Sequence, residues 1–153
     1  MLIRKVNEND MEQCVKIAIG LVDWFDEKAV EDITKEVRIF QTYVYDNNGT
    51  ILGFVCIKEK FSSALEIKWM GVDANSRHVG IGTKLIEYIE NKLANGKVIM
   101  VKTLDDSSDY APYVSTRAFY KKNGFVKIDV IVPYPGWSED CPCAIYVKLP
   151  EVK

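Results

Sequence analysis

The chain has 153 residues, 48% of them hydrophobic and 27% charged, with a formal net charge of −2. That length suits one domain, residues 1–153, whose core needs no disulfides. The charge balance argues against nucleic-acid binding, and no apolar run reaches the ~20 residues of a membrane span. In chain order, residues 2–6 read as a short strand, and Asn9 is placed to cap a helix starting at Asp10. Cys14, Ile17, Ala18 and Leu21 then recur at helical spacing. Asp26 restarts the pattern, with Val30, Ile33, Val37 and Phe40 on one stripe of a second helix. Between the helices, Trp24 and Phe25 serve either as a core plug or as part of a binding wall.

Residues 42–45 are β-rich and lead into Asp46-Asn47-Asn48-Gly49, a hairpin signal. A return strand, 51–58, contains Gly53, and Phe61-Ser62-Ser63 turns the chain into strand 64–72. Leu85, Ile86, Ile89 and Leu93 mark a helix stopped by Asn95-Gly96. The apolar run 98–103 fits a buried strand in a parallel pairing. An acidic stretch, 104–111, ends at Pro112, the first residue of a helix that closes at Asn123-Gly124. Strands 125–132 and 143–149 follow, joined by a loop rich in proline and aromatics. The order β-α-α-β-β-β-α-β-α-β-β is a mixed α/β layer structure. Cys14, Cys56, Cys141 and Cys143 lack zinc-site spacing, and His78 is the sole histidine, so no metal site is expected. Free thiols and the lack of a secretory signal fit a cytoplasmic protein.

The most specific stretch is 66–85, a strand, a glycine loop and the first turn of a helix. Glycines there let backbone N–H groups approach a ligand, and a helix N-terminus adds unpaired donors suited to phosphate. A plain strand-to-helix turn would use the same glycines. A P-loop is excluded because Thr83 separates Gly82 from Lys84, and a dinucleotide fingerprint because Leu85 stands where a third small residue belongs. What remains is Arg-x-x-Gly-x-Gly, from Arg77 to Gly82, directly after a strand.

This pattern resembles the acetyl-CoA signature of the GNAT N-acetyltransferase superfamily. Phe119-Tyr120 followed by Gly124-Phe125 resembles the second signature of that family, one helix and one strand later. The resemblance covers nearly the whole chain and looks like a bacterial-type subgroup. It implies a GNAT fold: a mixed, mostly antiparallel sheet with a splayed central parallel strand pair and flanking helices. It also implies acetyl-CoA as co-substrate. The pantetheine arm would pair with the main chain of Met70, Gly71 and Val72, and Arg77, His78, Val79, Gly80, Ile81, Gly82 and Thr83 would surround the pyrophosphate.

Tyr120 matches the tyrosine that in many relatives contacts the cofactor and protonates the departing thiolate, a role a phenol's pKa of ~10 suits; it could equally be a core residue. Glu66 is the candidate base. Period-2 alternation places Glu66, Lys68 and Met70 on one face and Ile67 and Trp69 on the other, which leaves open a Glu66–Lys68 ion pair with no catalytic part. Tyr113 stands near the place where many relatives carry a coenzyme-contacting asparagine, so that contact does not carry over. Asp105, Asp106, Asp109, Glu139 and Asp140, with Trp69, Tyr134 and Trp137, either form an acidic, aromatic pocket for a cationic amine or are solvated loop charge. The implied function is acetyl transfer to a primary amine of a small molecule. A coenzyme A-binding module without turnover and a protein or peptide N-acetyltransferase are the alternatives. Dimerisation through the late strands is compatible with the sequence but not decided by it.

Overall fold

The computed structural model describes residues 2–151; Met1, Val152 and Lys153 of the expected domain lie outside the described residues. The elements are β1 (Leu2–Lys5), α1 (Glu8–Gly20), α2 (Glu27–Ile39), β2 (Gln41–Asn47), β3 (Thr50–Lys60), β4 (Ala64–Val72), α3 (Ile81–Tyr88), β5 (Val98–Leu104), α4 (Tyr113–Lys122), β6 (Val126–Ile131) and β7 (Cys143–Lys148). A short 3-10 turn, Ala74–Ser76, precedes α3, and a π-helical turn, Ile89–Leu93, follows it. The strands form one sheet in the order β1-β2-β3-β4-β5-β7-β6. Among the described residues only β4 and β5 run parallel; every other neighbouring pair is antiparallel.

Local chemistry accounts for most of the boundaries. Helix α1 begins earlier than expected, because Asn7 and not Asn9 is its cap. The Asn7 side chain accepts from the Asp10 N–H at 3.2 Å, and the Asp10 carboxylate accepts from the Asn7 N–H at 2.8 Å. This capping box needs its carboxylate three residues after the cap, a spacing that Asn7 and Asp10 meet. Arg4 fixes the same carboxylate at 2.7 Å. Asp26 caps α2 as the sequence indicates, accepting from the Ala29 N–H at 2.8 Å. At the β2–β3 hairpin, Asn48 and Gly49 both have positive φ, 52° and 94°, the geometry of a type I′ turn.

The sheet buries both faces. Helices α1 and α2 cover one with Ile17, Ile33 and Val37 against Val44 and Phe54. On the other, α3 packs Leu85 and Ile86 against Val55, Ile67 and Ile99. Fully burying one such aliphatic side chain contributes about 1.5–3 kcal/mol.

Two features of β4 create the cleft. First, β4 and β5 pair only from Ala64↔Val98 to Ile67↔Val101, and beyond that point they part. Second, β3 pairs Cys56 with Trp69 but Ile57 with Ile67, which leaves Lys68 as the extra residue of a β-bulge. The bulge reverses the alternation. Ile67 and Met70 both pack on the α3 side and Trp69 on the α1–α2 side, the side to which alternation with Ile67 also turns Glu66. The expected grouping of Glu66, Lys68 and Met70 on one face is therefore wrong, because it assumed an unbroken period of two.

Candidate active site

The turn between β4 and α3 is held in a conformation that suits few side chains. His78 has φ 65° and Gly80 φ 87°, both left-handed. Gly80 is the N-cap of α3, and no side chain caps the helix, so its first N–H groups are not taken up by a capping residue. With the dipole of the helix these donors make an anion-binding end. His78, Val79 and Gly80 are exposed, whereas Ile81 and Gly82 are buried and Thr83 is half-buried. Gly82 has a packing role: a Cβ there would lie 2.9 Å from the Phe119 ring and 3.2 Å from the Met70 methyl.

Arg77 turns to the α1–α2 junction, where its guanidinium lies 4.6 Å from the centre of the Trp24 ring. The Trp24 indole N–H donates to Thr116 Oγ1 at 3.0 Å and to the Pro112 carbonyl at 3.2 Å. Two phenols secure the junction from the same side. Tyr110 donates to the Asp23 carbonyl at 2.8 Å and Tyr113 to the Trp24 carbonyl at 3.1 Å. Burial, with the neighbouring Tyr110 phenol and the Asp26 charge, pushes the Tyr113 phenol up to about 12. Trp24 is thus neither a simple core plug nor a simple wall; it couples the glycine loop to the start of α4.

Below this junction the parted strands open into a cleft of about 1940 Å³ that runs from His78 and Gly80 past Met70 and Tyr120 to Glu66. Met70, Gly71 and Val72 pair with β3 alone. Alternate main-chain groups along that edge therefore point to the open side. Gly71 also meets a packing demand, since a Cβ there would lie 2.9 Å from the Phe54 ring. Tyr120, 7% exposed, lines the same cleft between the rings of Phe119 and Phe125, each centred 5.3 Å away. Burial pushes its phenol above the ordinary tyrosine range.

At the far end Glu66 is 2% exposed. Its partners are Lys60 at 3.3 Å and Lys102 at 3.2 Å, on the two flanking strands, and not Lys68. The Lys60 ammonium faces Oε1 as an ion pair without hydrogen-bond geometry, so Oε1 accepts no hydrogen bond among the described residues. Lys102 also sits 5.0 Å from the Tyr134 ring, under the β6–β7 loop. Burial alone would lower its ammonium, but hydrogen bonding to Tyr134 and the charge of Glu66 outweigh this and hold it above the usual lysine range.

Of the two readings of the acidic loops, the pocket for a cationic amine does not assemble. Lys127 on β6 binds Asp105 at 2.8 Å and Asp106 at 3.2 Å, taking both away from the cleft. Asp109 and Asp140 remain at its exposed rim, and Glu139 is exposed and does not line it. Of the expected aromatics, Trp69 donates its indole N–H to Glu36 and meets Phe25 edge-on at 5.8 Å, and Tyr134 meets Trp137 edge-on at 5.5 Å. Lys60 and Lys102 were not singled out from sequence, and they carry no motif. The available signal was a charged residue at a strand position, the same signal that drew attention to Glu66. Among the described residues no group of three His, Cys, Asp or Glu could hold a metal ion.

A sequence profile described as the acetyltransferase (GNAT) domain matches residues 38–127, more than half of the chain. Among solved structures, a GNAT-family protein from Desulfovibrio desulfuricans superposes with a TM-score of 0.85 at 16% identity, covering 98% of this chain and 99% of the other. An aminoglycoside 6′-N-acetyltransferase complexed with coenzyme A gives 0.74 at 18% identity, covering 100% and 99%. The ribosomal-protein-S18-alanine N-acetyltransferase of Escherichia coli gives 0.72 at 13% identity, covering 99% and 95%. At these identities the likeness is one of fold. A search of curated proteins returned no match.

Proposed function

Since this chain belongs to the GNAT acetyltransferase family, we propose that it moves an acetyl group from acetyl-CoA directly to the primary amine of a small molecule. The observation that carries the reading is the open edge of β4 beyond Ile67, leading to the uncapped N-terminus of α3. A pantetheine arm needs extended main chain to pair with, and a pyrophosphate needs unpaired N–H groups; both lie along one cleft. The fold neighbour solved with coenzyme A supports this use of the cleft.

Acetyl-CoA would supply an activated carbonyl. Met70, Gly71 and Val72 would hold its arm by main-chain hydrogen bonds, one of which could polarise that carbonyl. The loop from Arg77 to Thr83 would hold the phosphates, with Arg77 bracing the loop through Trp24. The acceptor ammonium gives one proton to Glu66 or to water beside it, so that the nitrogen lone pair can form the new N–C bond. As the C–S bond breaks, Tyr120 donates its proton to sulfur, and the second amine proton restores the phenol. One proton is released overall.

A small acceptor is supported by the loops that border the cleft. Tyr110 and Tyr113 tie down the α1–α2 junction on one side, and Tyr134 lies over Lys102 on the other. We place the protein in the cytoplasm, a setting that suits its four free thiols; no helix among the described residues is long and apolar enough to cross a membrane.

The test is thiol release from acetyl-CoA across amino acids, polyamines, aminoglycosides and short peptides, alongside calorimetry of acetyl-CoA binding. Turnover of a small amine is the expected result. Binding without turnover of any amine points to a module that only holds the coenzyme, and turnover of peptides alone to a protein acetyltransferase. Failure to bind acetyl-CoA overturns the reading.

A further inference from the structure

The acceptor end of the cleft has the opposite charge from the one its loops suggest. Although the whole chain carries a net charge of −2, four lysines, Lys58, Lys60, Lys68 and Lys102, line the cleft beside Glu66. Lys60 and Lys102 share the one carboxylate of Glu66, leaving an excess of one positive charge where the side chains are only 32% and 17% exposed. Lys58 and Lys68 rest on aromatic rings, 5.4 Å from Phe40 and 5.8 Å from Trp69, and have no carboxylate partner among the described residues. Lys127 takes Asp105 and Asp106, Glu36 accepts from the Trp69 indole but keeps its charge, and Asp109 and Asp140 stay at the exposed rim, so beside Glu66 itself the ammonium groups of Lys60 and Lys102 outnumber the carboxylates.

Resting on the acetyl-transfer reading, we propose that the acceptor is an amine bearing its own anionic group, a carboxylate or phosphate, which Lys60 and Lys102 bind while Glu66 faces the amine. An excess positive charge in a half-buried pocket calls for an anion, and a substrate that brings one completes the pairing. The same field acts on the nucleophile. Ammonium groups nearby disfavour the protonated form of the acceptor amine, so they promote the neutral form that attacks. A polyamine or aminoglycoside would bring further cations to a floor already positive, at an electrostatic cost that opposes its binding.

The test uses matched pairs with the full chain and acetyl-CoA: 4-aminobutanoate against butylamine, and phosphoethanolamine against ethanolamine, with spermidine as the cationic arm. The expected result is a kcat/KM at least about tenfold higher for the anionic member of one pair, a gap of about 1.4 kcal/mol. Which pair shows it distinguishes carboxylate from phosphate. In Lys102→Met, and separately in the more exposed Lys60→Met, the preference is lost, read as a rise in the KM of the anionic member relative to its uncharged partner in the same variant. Independently of turnover, calorimetry with glutarate and with inorganic phosphate is expected to detect binding of one of them that Lys102→Met abolishes. Turnover of amines without an anionic preference overturns this proposal and leaves acetyl transfer standing. If no amine is turned over, glutarate or phosphate binding lost in Lys102→Met supports the anion site, and its absence overturns it. Failure to bind acetyl-CoA bears instead on the acetyl-transfer reading.

Discussion

Ile67 and Val101 are the last two residues to pair across the parallel strands β4 and β5. One residue further along β4, the Lys68 bulge re-aims the chain, so the strands part where the side chains change faces. The edge thus freed runs to the left-handed Gly80 at the start of α3. Main-chain donors for an extended arm and for an anion are brought into one continuous cleft by this pair of irregularities.

Tyr120→Phe removes the proposed proton donor but keeps the ring between Phe119 and Phe125. The expected outcome is a fall in kcat of about 10²-fold, with acetyl-CoA affinity in calorimetry unchanged within a factor of two or so. Because burial raises the phenol, its proton is retained through the alkaline range. The wild-type kcat should show no decline from Tyr120 ionisation up to about pH 10.

Glu66→Gln removes the proposed proton acceptor and leaves Lys60 and Lys102 without their shared carboxylate. At neutral pH kcat/KM should drop by about 10²-fold. If Glu66 takes the amine proton, the deficit shrinks as pH rises, because hydroxide and free amine replace the lost base. A deficit constant from pH 7 to about pH 10 would assign Glu66 to charge balance alone.

Gly80 and Gly82 should fail differently when replaced by alanine. At Gly80 there is open space but φ is 87°, so the variant pays left-handed strain of about 1–2 kcal/mol. At Gly82 the backbone is helical, but the new Cβ meets Phe119 at 2.9 Å, an overpacking cost of about 1–3 kcal/mol. Phe119 adjoins Tyr120, so Gly82→Ala should also lower kcat, whereas Gly80→Ala should chiefly raise the KM for acetyl-CoA. Thermal unfolding and steady-state kinetics on both variants check this.

Asp105 contributes to stability in a pH-dependent way. Burial opposes its charge, but Lys127 and the Ser107 N–H outweigh that and hold the carboxyl well below the usual range. A depressed native value means the stabilisation is complete above the unfolded pKa of about 3.9 and is lost as pH falls below it. Asp105→Asn should cost about 1.5–3 kcal/mol at pH 7 and flatten the acid limb of the urea-unfolding profile.

Much was legible in the residues themselves. The order of strands and helices, the hairpin at Asn48-Gly49, the cap at Asp26 and both family signatures depend on contacts within a few residues, and short-range chemistry writes them into the string. The Asn7 cap lies two positions before the one the spacing predicts, because Asp10, which reads as the start of the helix, is the carboxylate that closes its capping box. Register and long-range pairing belong to the tertiary structure alone. The Lys68 bulge reversed the faces of β4, Arg77 found Trp24, and Asp105 and Asp106 found Lys127. Lys60, Glu66 and Lys102 lie on three different strands, so no local pattern could announce the charged floor they form. The sheet made them neighbours by its register, and the charge at that end of the cleft was settled there.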